Sequence, residues 1–395
     1  MGKAFIQEST LSDIADAIRS KNGSSDTYLP SEMAQAIQNI PTGGDSGLSP
    51  KDVNFYDYDG TLVQSYTRAE ALALVALPDI PNHNGLTNGL WNWTLADITE
   101  YYNKCGGVIN IGATYTPTDG NTHIFAKINH PQWVSLSLQA TIADALSVNW
   151  GDGSPIETWG TTSLEQKVHK YNNIGTFEIK IICTSGTFTS NDLGGNCINI
   201  DGTISTATTQ NLHNPFIEIW FSDKFKYSNN ALTYSSSLKK LILPQNTTDM
   251  WQSSYCYSLN CLVLSSNIVT MRGMIITAGV TSMPARCTNM YGIIYSSSVN
   301  ELTIPITTQL RNNIISTGSV ARIDVPNSVT SIASGSISNV KVREYHFYST
   351  TPPTLASATA LTVPDGCVIY VPASKLNDYK TAQYWSTWAT NMVGE

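Results

Sequence analysis

Short apolar units recur at a spacing of 21 residues in the second half of this chain, and that spacing restricts its possible folds more than any other feature. Leu238, Leu241, Leu243 and Pro244 are echoed 21 positions later by Leu259, Leu262, Leu264 and Ser265. Val299, Leu302, Ile304 and Pro305 recur, again 21 positions on, as Val320, Ile323, Val325 and Pro326. Val280 and Met283 fit the interval between the two pairs, and Phe216 to Phe221 opens the series about one period early. Each unit reads as a strand stopped by Pro or Ser, followed by a Ser/Asn-rich turn. One short strand cannot bury its own face, so the units must stack, and a period of about 21 lies in the range of repeat solenoids. The pattern is weakest between residues 266 and 298.

At 395 residues the chain has room for two to four domains. Only 13% of residues are charged, against the usual ~25%. Ser, Thr and Asn take the place of Lys and Glu, a balance seen in β-sandwiches, β-solenoids and surface proteins more than in helical enzymes. The net charge of −8, with Lys and Arg scattered, provides no footprint for nucleic acid. No run approaches 18 apolar residues, so no membrane insertion is expected. Met1 to Glu8 lacks the apolar core of a secretory signal, which predicts a protein kept in the cell or released by lysis or assembly. The seven cysteines (Cys105, Cys183, Cys197, Cys256, Cys261, Cys287 and Cys367) are odd in number and contain no CxxC pair. They read as small buried side chains in a reducing compartment, with no metal and no cofactor.

Along the chain, residues 9–41 predict two short helices. Thr10 and Asp13 cap the first, Leu11, Ile14, Ala15 and Ile18 mark its apolar face, and Asn22-Gly23 stops it. Pro30 starts the second, with Met33, Ile37 and Ile40 on its apolar side, and Pro41 ends it. Helices this short must dock on something else. Residues 42–50 form a Gly/Ser linker. Residues 51–129 predict a small α+β module, with strands over 53–58, 108–111 and 124–128 and helices over 67–77 and 95–105. Residues 130–205 alternate as an all-β sandwich does: Val134, Leu136 and Leu138 on one strand, Phe177, Ile179 and Ile181 on another. The repeats occupy residues 206–395.

Asp57-Tyr58-Asp59-Gly60-Thr61-Leu62 follows an apolar strand and resembles the first motif of haloacid-dehalogenase-type phosphatases. In that family the first Asp attacks phosphorus, the second exchanges a proton with the leaving group, and Mg²⁺ offsets the charge. The alternating strands and helices of such a fold do not continue after about residue 112, so the expectation is a hairpin turn at Asp59-Gly60. None of the six histidines (His83, His123, His130, His169, His213, His346) stands in a metal-binding spacing, and no phosphate loop or nucleophile arrangement stands out. A pair of glycosidase carboxylates assembled in space is beyond what spacing can reveal. Nineteen Tyr and nine Trp outnumber nine Phe, and flat rings with polar tips suit glycan or protein recognition. Trp251, Tyr255, Tyr257, Tyr291 and Tyr295 fall in turns or in the weak stretch and are the candidate binding residues.

Three resemblances add to this reading. Trp150-Gly151-Asp152-Gly153, then His169, Tyr171 and Gly175-Thr176-Phe177, resembles the PKD domain, an immunoglobulin-like sandwich. That resemblance implies structural roles for Asp152 and His169 and a core position for the Trp. The 21-residue units, with Asn327 to Ile332 and the ending Cys367 to Lys380 followed by Tyr384, Trp385 and Trp388, resemble BspA-type leucine-rich repeats closed by a helical cap. Leu11 to Gly23 with Leu29 to Ile37 is similar to the start of tail and baseplate proteins from phages of Firmicutes, and residues 52–128 resemble a module found beside it.

The expectation is therefore a mainly β, multidomain chain: a short N-terminal helical hairpin, a small α+β domain, a PKD-like β-sandwich and a leucine-rich-repeat solenoid with a C-terminal helical cap. The resemblances imply a non-enzymatic phage or prophage tail fibre or baseplate protein in the virion. Ile14, Ile18, Met33 and Ile37 would attach it to other tail proteins, and the distal half would engage a host surface glycan or protein. A homo-oligomer, trimeric as tail fibres commonly are, goes with that class, although no heptad stretch supports a coiled coil. The alternatives are a bacterial surface adhesin with the same modules, and an enzyme acting through Asp57 and Asp59 or as a glycan depolymerase.

Overall fold

A computed structural model of the chain describes Ala15 and residues 50–193, 197–198, 204–205, 215–227, 232, 237–251, 258–273, 275–276, 278–292, 294–295, 298–315, 318–338 and 340–395. Residues 1–49 form one compact unit and residues 50–395 another. The expected helical hairpin, including Ile14, Ile18, Met33 and Ile37, lies outside the described residues apart from Ala15, which is buried in a helix. The chain is mainly β, 42% strand and 10% helix, and multidomain, with a β-solenoid of about seven turns in its C-terminal part.

The second unit begins with a four-stranded sheet. Val53–Tyr56 (β1) and Leu62–Tyr66 (β2) form the antiparallel hairpin expected at Asp59-Gly60. The amide of Asp57 donates to the carbonyl of Thr61 at 2.8 Å, and Gly60 takes φ +92°, which a side chain would resist. Thr67 and Glu70 form a capping box for helix α1, Arg68–Leu72. This helix ends five residues short of the expected Leu77. Leu72 and Val75 both face solvent, so further turns would bury nothing and Pro78 follows. Leu86–Trp91 (β3) leads to Leu95–Tyr102 (α2), capped by Thr94 and Asp97, and then to Ile109–Pro117 (β4). The strand order is β2-β1-β4-β3, with β1 and β4 parallel.

Thr122–Ile128 (β5) departs from expectation. Instead of closing the α+β module it belongs to the sandwich, hydrogen-bonded along its length to Gly175–Cys183 (which, in chain order, is β10). Between them run Gln132–Ala140 (β6), Leu146–Asn149 (β7), Glu157–Trp159 (β8) and Glu165–Tyr171 (β9), and Phe188–Asp192 (β11) follows. One sheet holds β5-β10-β7-β8 and the other β11-β6-β9, all antiparallel. Val134, Leu136, Leu138, Ile179 and Ile181 are buried, as their alternation predicts, around Trp150 and Trp159.

The sandwich runs directly into the solenoid. Phe216–Trp220 pairs antiparallel with β5 on one edge and parallel with Lys240–Ile242 on the other, so one sheet is shared between the two domains. From there each coil adds a rung to parallel ladders. The first ladder pairs residues 261–263 with 280–282, and beyond it a separate five-stranded ladder runs through 298–303, 319–325, 341–347, 368–371 and 392–394 in sequence. The repeat residues Leu238, Leu241, Leu243, Leu259, Leu262, Leu264, Leu302, Ile304, Val320, Ile323 and Val325 are all buried. Rungs continue through the weak stretch at 270–272, 280–282 and 289–291. There Met271, Met290 and Cys287 are buried, which erases the Leu/Ile signature without breaking the coil. At the C-terminus the cap is more than a helix. Leu376–Thr381 (α3) and a 3₁₀ segment, Trp385–Asn391, precede a last strand, Met392–Gly394, that pairs parallel with Val368–Val371.

The α+β module lies against the first ladder. The Nδ2 group of Asn92 donates to the carbonyl of Leu264 at 2.8 Å and to Ser282 Oγ at 2.9 Å. The indole of Trp93 donates to the carbonyl of Met283 at 2.7 Å. Arg286 forms ion pairs with Asp97 and Glu100. Gly112 on β4 is where the strands approach closely, since any Cβ there would overlap the methyl groups of Val263. At the seam between sandwich and solenoid, His123 lies between Glu178 (2.7 Å) and Asp119 (2.8 Å). Burial opposes ionisation of Asp119, but hydrogen bonds from His123 and Asn121 outweigh it and hold the carboxyl well below its usual range.

Candidate binding face

A second ladder places the outward side chains of successive coils in columns. Its rungs are Asp249–Trp251, Thr270–Arg272 and Asn289–Tyr291, in parallel register. Further along come Gln309–Leu310, Ser331–Ile332 and Thr354–Leu355. These two sets of rungs are separate three-stranded ladders, and the amide of Gly292 donates to the carbonyl of Asn312 between them. Strand geometry alternates the faces. Met250, Met271, Met290, Leu310, Ile332 and Leu355 point inward and are buried. The described side chains on either side of each, such as Asp249, Thr270, Tyr291, Gln309 and Arg311, therefore face outward.

Two columns result. One contains Asp249, Thr270, Asn289, Gln309, Ser331 and Thr354, an array of short polar groups. The other contains Trp251, Arg272 and Tyr291 in register, then Arg311 beyond Leu310, and Ala333 and Ala356. Arg272 and Tyr291 are neighbours in register, separated by the inter-strand distance of about 4.8 Å. Tyr291 is 46% exposed, Arg311 is exposed and Arg272 is half-buried. A flat surface with ring faces, fixed cations and hydroxyl or amide groups can stack on sugar rings and hydrogen-bond their substituents.

Of the five expected binding residues, the fold brings Trp251 and Tyr291 into one column. Tyr295 belongs to a different ladder, Ile275–Ile276 beside Ile294–Tyr295. Tyr255 and Tyr257 lie outside the described residues. Arg272 and Arg311 were missed. The one available signal was the offset of about 20 residues from Trp251 to Arg272, Tyr291 and Arg311, which the aromatic residues alone did not reveal.

The phosphatase-like residues are engaged otherwise. Asp57 is buried, and its Oδ1 accepts from the Tyr58 amide at 2.8 Å and the Tyr115 hydroxyl at 2.9 Å. Its Oδ2 lies 2.7 Å from His83 Nε2. Asp59 Oδ1 accepts from the Thr61 amide at 3.0 Å, closing the hairpin. Both carboxylates thus serve the turn and its contact with the first coil, where the Tyr58 hydroxyl donates to Glu218 at 2.9 Å. Among the described residues, no group of three His, Cys, Asp or Glu side chains could hold a metal ion. Nor is any described helix long and apolar enough to cross a membrane.

The Trp150-Gly151-Asp152-Gly153 turn ties the sandwich together. Asp152 accepts from the Ser154 amide at 3.0 Å and meets His169 Nε2 at 2.8 Å, while the His169 ring stacks on Trp150. The Tyr171 hydroxyl donates to the Trp150 carbonyl. Partial burial opposes ionisation of Asp152, but bonds from Ser154 and His169 prevail and lower its pKa from 3.8 to about 2. A depressed carboxylate stabilises the fold above its unfolded pKa, and that contribution is lost as pH falls through the folded value. Asp152→Asn is therefore expected to flatten the loss of thermal stability between pH 3.8 and about 2, measured as the melting midpoint against pH. An unchanged acid limb would show that this carboxylate contributes nothing there.

No family model matches this chain, and no curated protein is significantly similar to it.

Proposed function

We propose that this chain is a non-enzymatic structural protein of a phage or prophage tail whose solenoid binds a glycan on the host surface. The tail assignment rests on the likeness of residues 11–37 to the start of tail and baseplate proteins, with Ile14, Ile18, Met33 and Ile37 as the attachment residues. The finer identities, a PKD-like sandwich and BspA-like repeats, accord with two antiparallel sheets around Trp150 and with stacked coils of about 21 residues. A homo-oligomeric, virion-bound assembly with other tail proteins completes the reading.

The observation that carries the binding role is the register of Trp251, Arg272 and Tyr291 on an outward ladder. Parallel stacking turns residues scattered through the sequence into one straight column, a shape suited to a linear ligand. The test is binding of the labelled full chain and of Tyr291→Ala to whole bacterial cells. Saturable binding weakened roughly tenfold or more, the scale of an aromatic hot spot, is the expected result. Saturable binding left intact by Tyr291→Ala moves the site off this face, and absence of binding across hosts removes the receptor-binding role.

A further inference from the structure

We infer that Asn84 is a site of spontaneous covalent modification, where the chain closes a cyclic imide, releases ammonia and reopens as aspartate or isoaspartate. Asn84 and Gly85 form the middle of a turn at the seam between the α+β module and the first coil of the solenoid.

The bond changes are local. The Gly85 amide nitrogen loses its proton to hydroxide and attacks the side-chain carbonyl carbon, Cγ, of Asn84. The Cγ–Nδ2 bond then breaks, and Nδ2 takes a proton back from water and leaves as ammonia, which regenerates the hydroxide. One water molecule opens the ring. Addition at Cγ gives aspartate, and addition at the backbone carbonyl carbon gives isoaspartate, whose main chain runs through Cβ and Cγ. The net reaction consumes one water and yields one ammonia, a mass gain of about 1 Da. Because the attack is intramolecular, geometry and access set its rate.

The structure separates this site from similar ones. Asn84 is exposed, and neither its side-chain amide nor the Gly85 N–H has a hydrogen-bond partner among the described residues. One bond closes the turn, from the Leu86 amide to the His83 carbonyl at 3.3 Å, so opening it costs little. Gly85 takes φ +84° and has no Cβ to shield its nitrogen. Asn88-Gly89 is the same pair four residues on, yet it is held within β3. Asn88 Nδ2 donates to Thr116 Oγ1 at 3.0 Å, and its carbonyl accepts from Gln245 Nε2 at 2.8 Å. Gly89 lies under Ile80, whose methyl group would stand 2.8 Å from a Cβ there. Asn22-Gly23 lies outside the described residues. The pairs at Asp59, Asp119, Asp152 and Asp365 share the glycine but carry a carboxylate, whose oxygen leaves far less readily than ammonia.

The turn is pinned on both flanks. His83 Nε2 lies 2.7 Å from Asp57 Oδ2, and its ring stands edge-on to Tyr58 and Tyr115. The Gly85 carbonyl accepts from the Thr118 amide at 2.9 Å, and the Gly85 backbone rests against the Trp220 ring. Isoaspartate adds one methylene to the main chain between these anchors and places a carboxylate beside the His83–Asp57 pair. Both changes loosen the module from the first coil.

The experiment incubates the full chain in warm, mildly alkaline buffer, native and in urea, and follows it by peptide mapping. Trypsin releases residues 69–104 as one peptide, within which fragment ions separate Asn84 from Asn88. In the native chain Asn84 should gain about 1 Da roughly tenfold faster than Asn88, the scale of the two hydrogen bonds that Asn88 keeps. In urea the two should react alike, and enzymatic methylation of isoaspartate should label the peptide. The melting midpoint should fall as native conversion proceeds. Asn84→Gln, whose longer side chain closes a less favourable ring, should keep its starting midpoint over the same period. Equal or reversed native rates at the two sites, or no gain at Asn84 in the native chain, overturns the inference. Conversion at Asn84 with an unchanged midpoint overturns the loosening of the seam.

Discussion

Asn92→Leu is expected to cost roughly 2–6 kcal/mol of stability, because it would leave two buried groups without partners at about 1–3 kcal/mol each. Asn92 is buried at the meeting of the α+β module and the solenoid. Its Nδ2 group donates to the Leu264 carbonyl and to Ser282 Oγ, and its Oδ1 accepts from the Gly112 amide at 2.9 Å. Ser282 Oγ in turn lies 2.7 Å from the Asn110 carbonyl, so its proton is committed to the module. Leucine keeps the branching and heavy-atom count of asparagine but supplies neither donor nor acceptor. The Leu264 carbonyl and the Gly112 amide would both be stranded, while the Ser282 hydroxyl keeps its bond to Asn110. Water cannot easily replace them, since Gly112 packs directly on Val263. Equilibrium denaturation gives the loss, and hydrogen exchange at the Gly112 amide should accelerate with it. A midpoint within experimental error of the parent would mean that the module is held by apolar contact alone.

Removing residues 373–395 is expected to have a still broader effect. Tyr379, Trp385, Trp388 and Met392 are buried over the last coil. Four such side chains stabilise by about 1.5–3 kcal/mol each, or roughly 6–12 kcal/mol together. The Tyr379 hydroxyl donates to the Ser349 carbonyl at 3.0 Å, and the Trp385 indole to that of Pro353 at 2.8 Å, which fixes the cap in one orientation. Without it, the strand Val368–Val371 becomes a bare edge and Phe347 loses its ring contacts with Tyr379 and Trp385. Open solenoid ends with unpaired edges recruit other chains. The shortened protein should elute as oligomer or aggregate in size-exclusion chromatography and bind a hydrophobic dye that the parent does not. Trp385→Ala, expected to cost about 3–5 kcal/mol, tests the same contact in a chain that keeps its last strand. A truncated chain that remains soluble with an unchanged melting midpoint would overturn the capping role.

Much of the architecture was readable before any coordinate. The spacing of Leu241, Leu262, Leu302 and Ile323 announced stacked coils, because a strand that short has to share its face with neighbours at a constant interval. Asp59-Gly60 announced a hairpin, and alternation at Val134, Leu136 and Leu138 announced a half-buried strand. Local chemistry sufficed in these cases: a residue's own backbone preference, or its polarity at period two, decides the outcome.

Other features depended on partners far along the chain. Thr122–Ile128 looks like the end of one module, yet its two edges are taken by Gly175–Cys183 and Phe216–Trp220, a choice made by which strands need pairing. Residues 266–298 looked irregular because Met and Cys can fill a coil interior as well as Leu does once neighbouring coils supply the rest of the packing. The candidate face is the clearest instance. That Trp251, Arg272 and Tyr291 are aromatic or cationic was plain from the sequence, but their common column exists only because parallel coils stack in register. Composition and periodicity determined that this chain would build a β-solenoid joined to smaller domains. Which side chains stand next to one another on its surface was decided by inter-coil hydrogen bonding, an interaction between residues about 20 apart that no local pattern encodes.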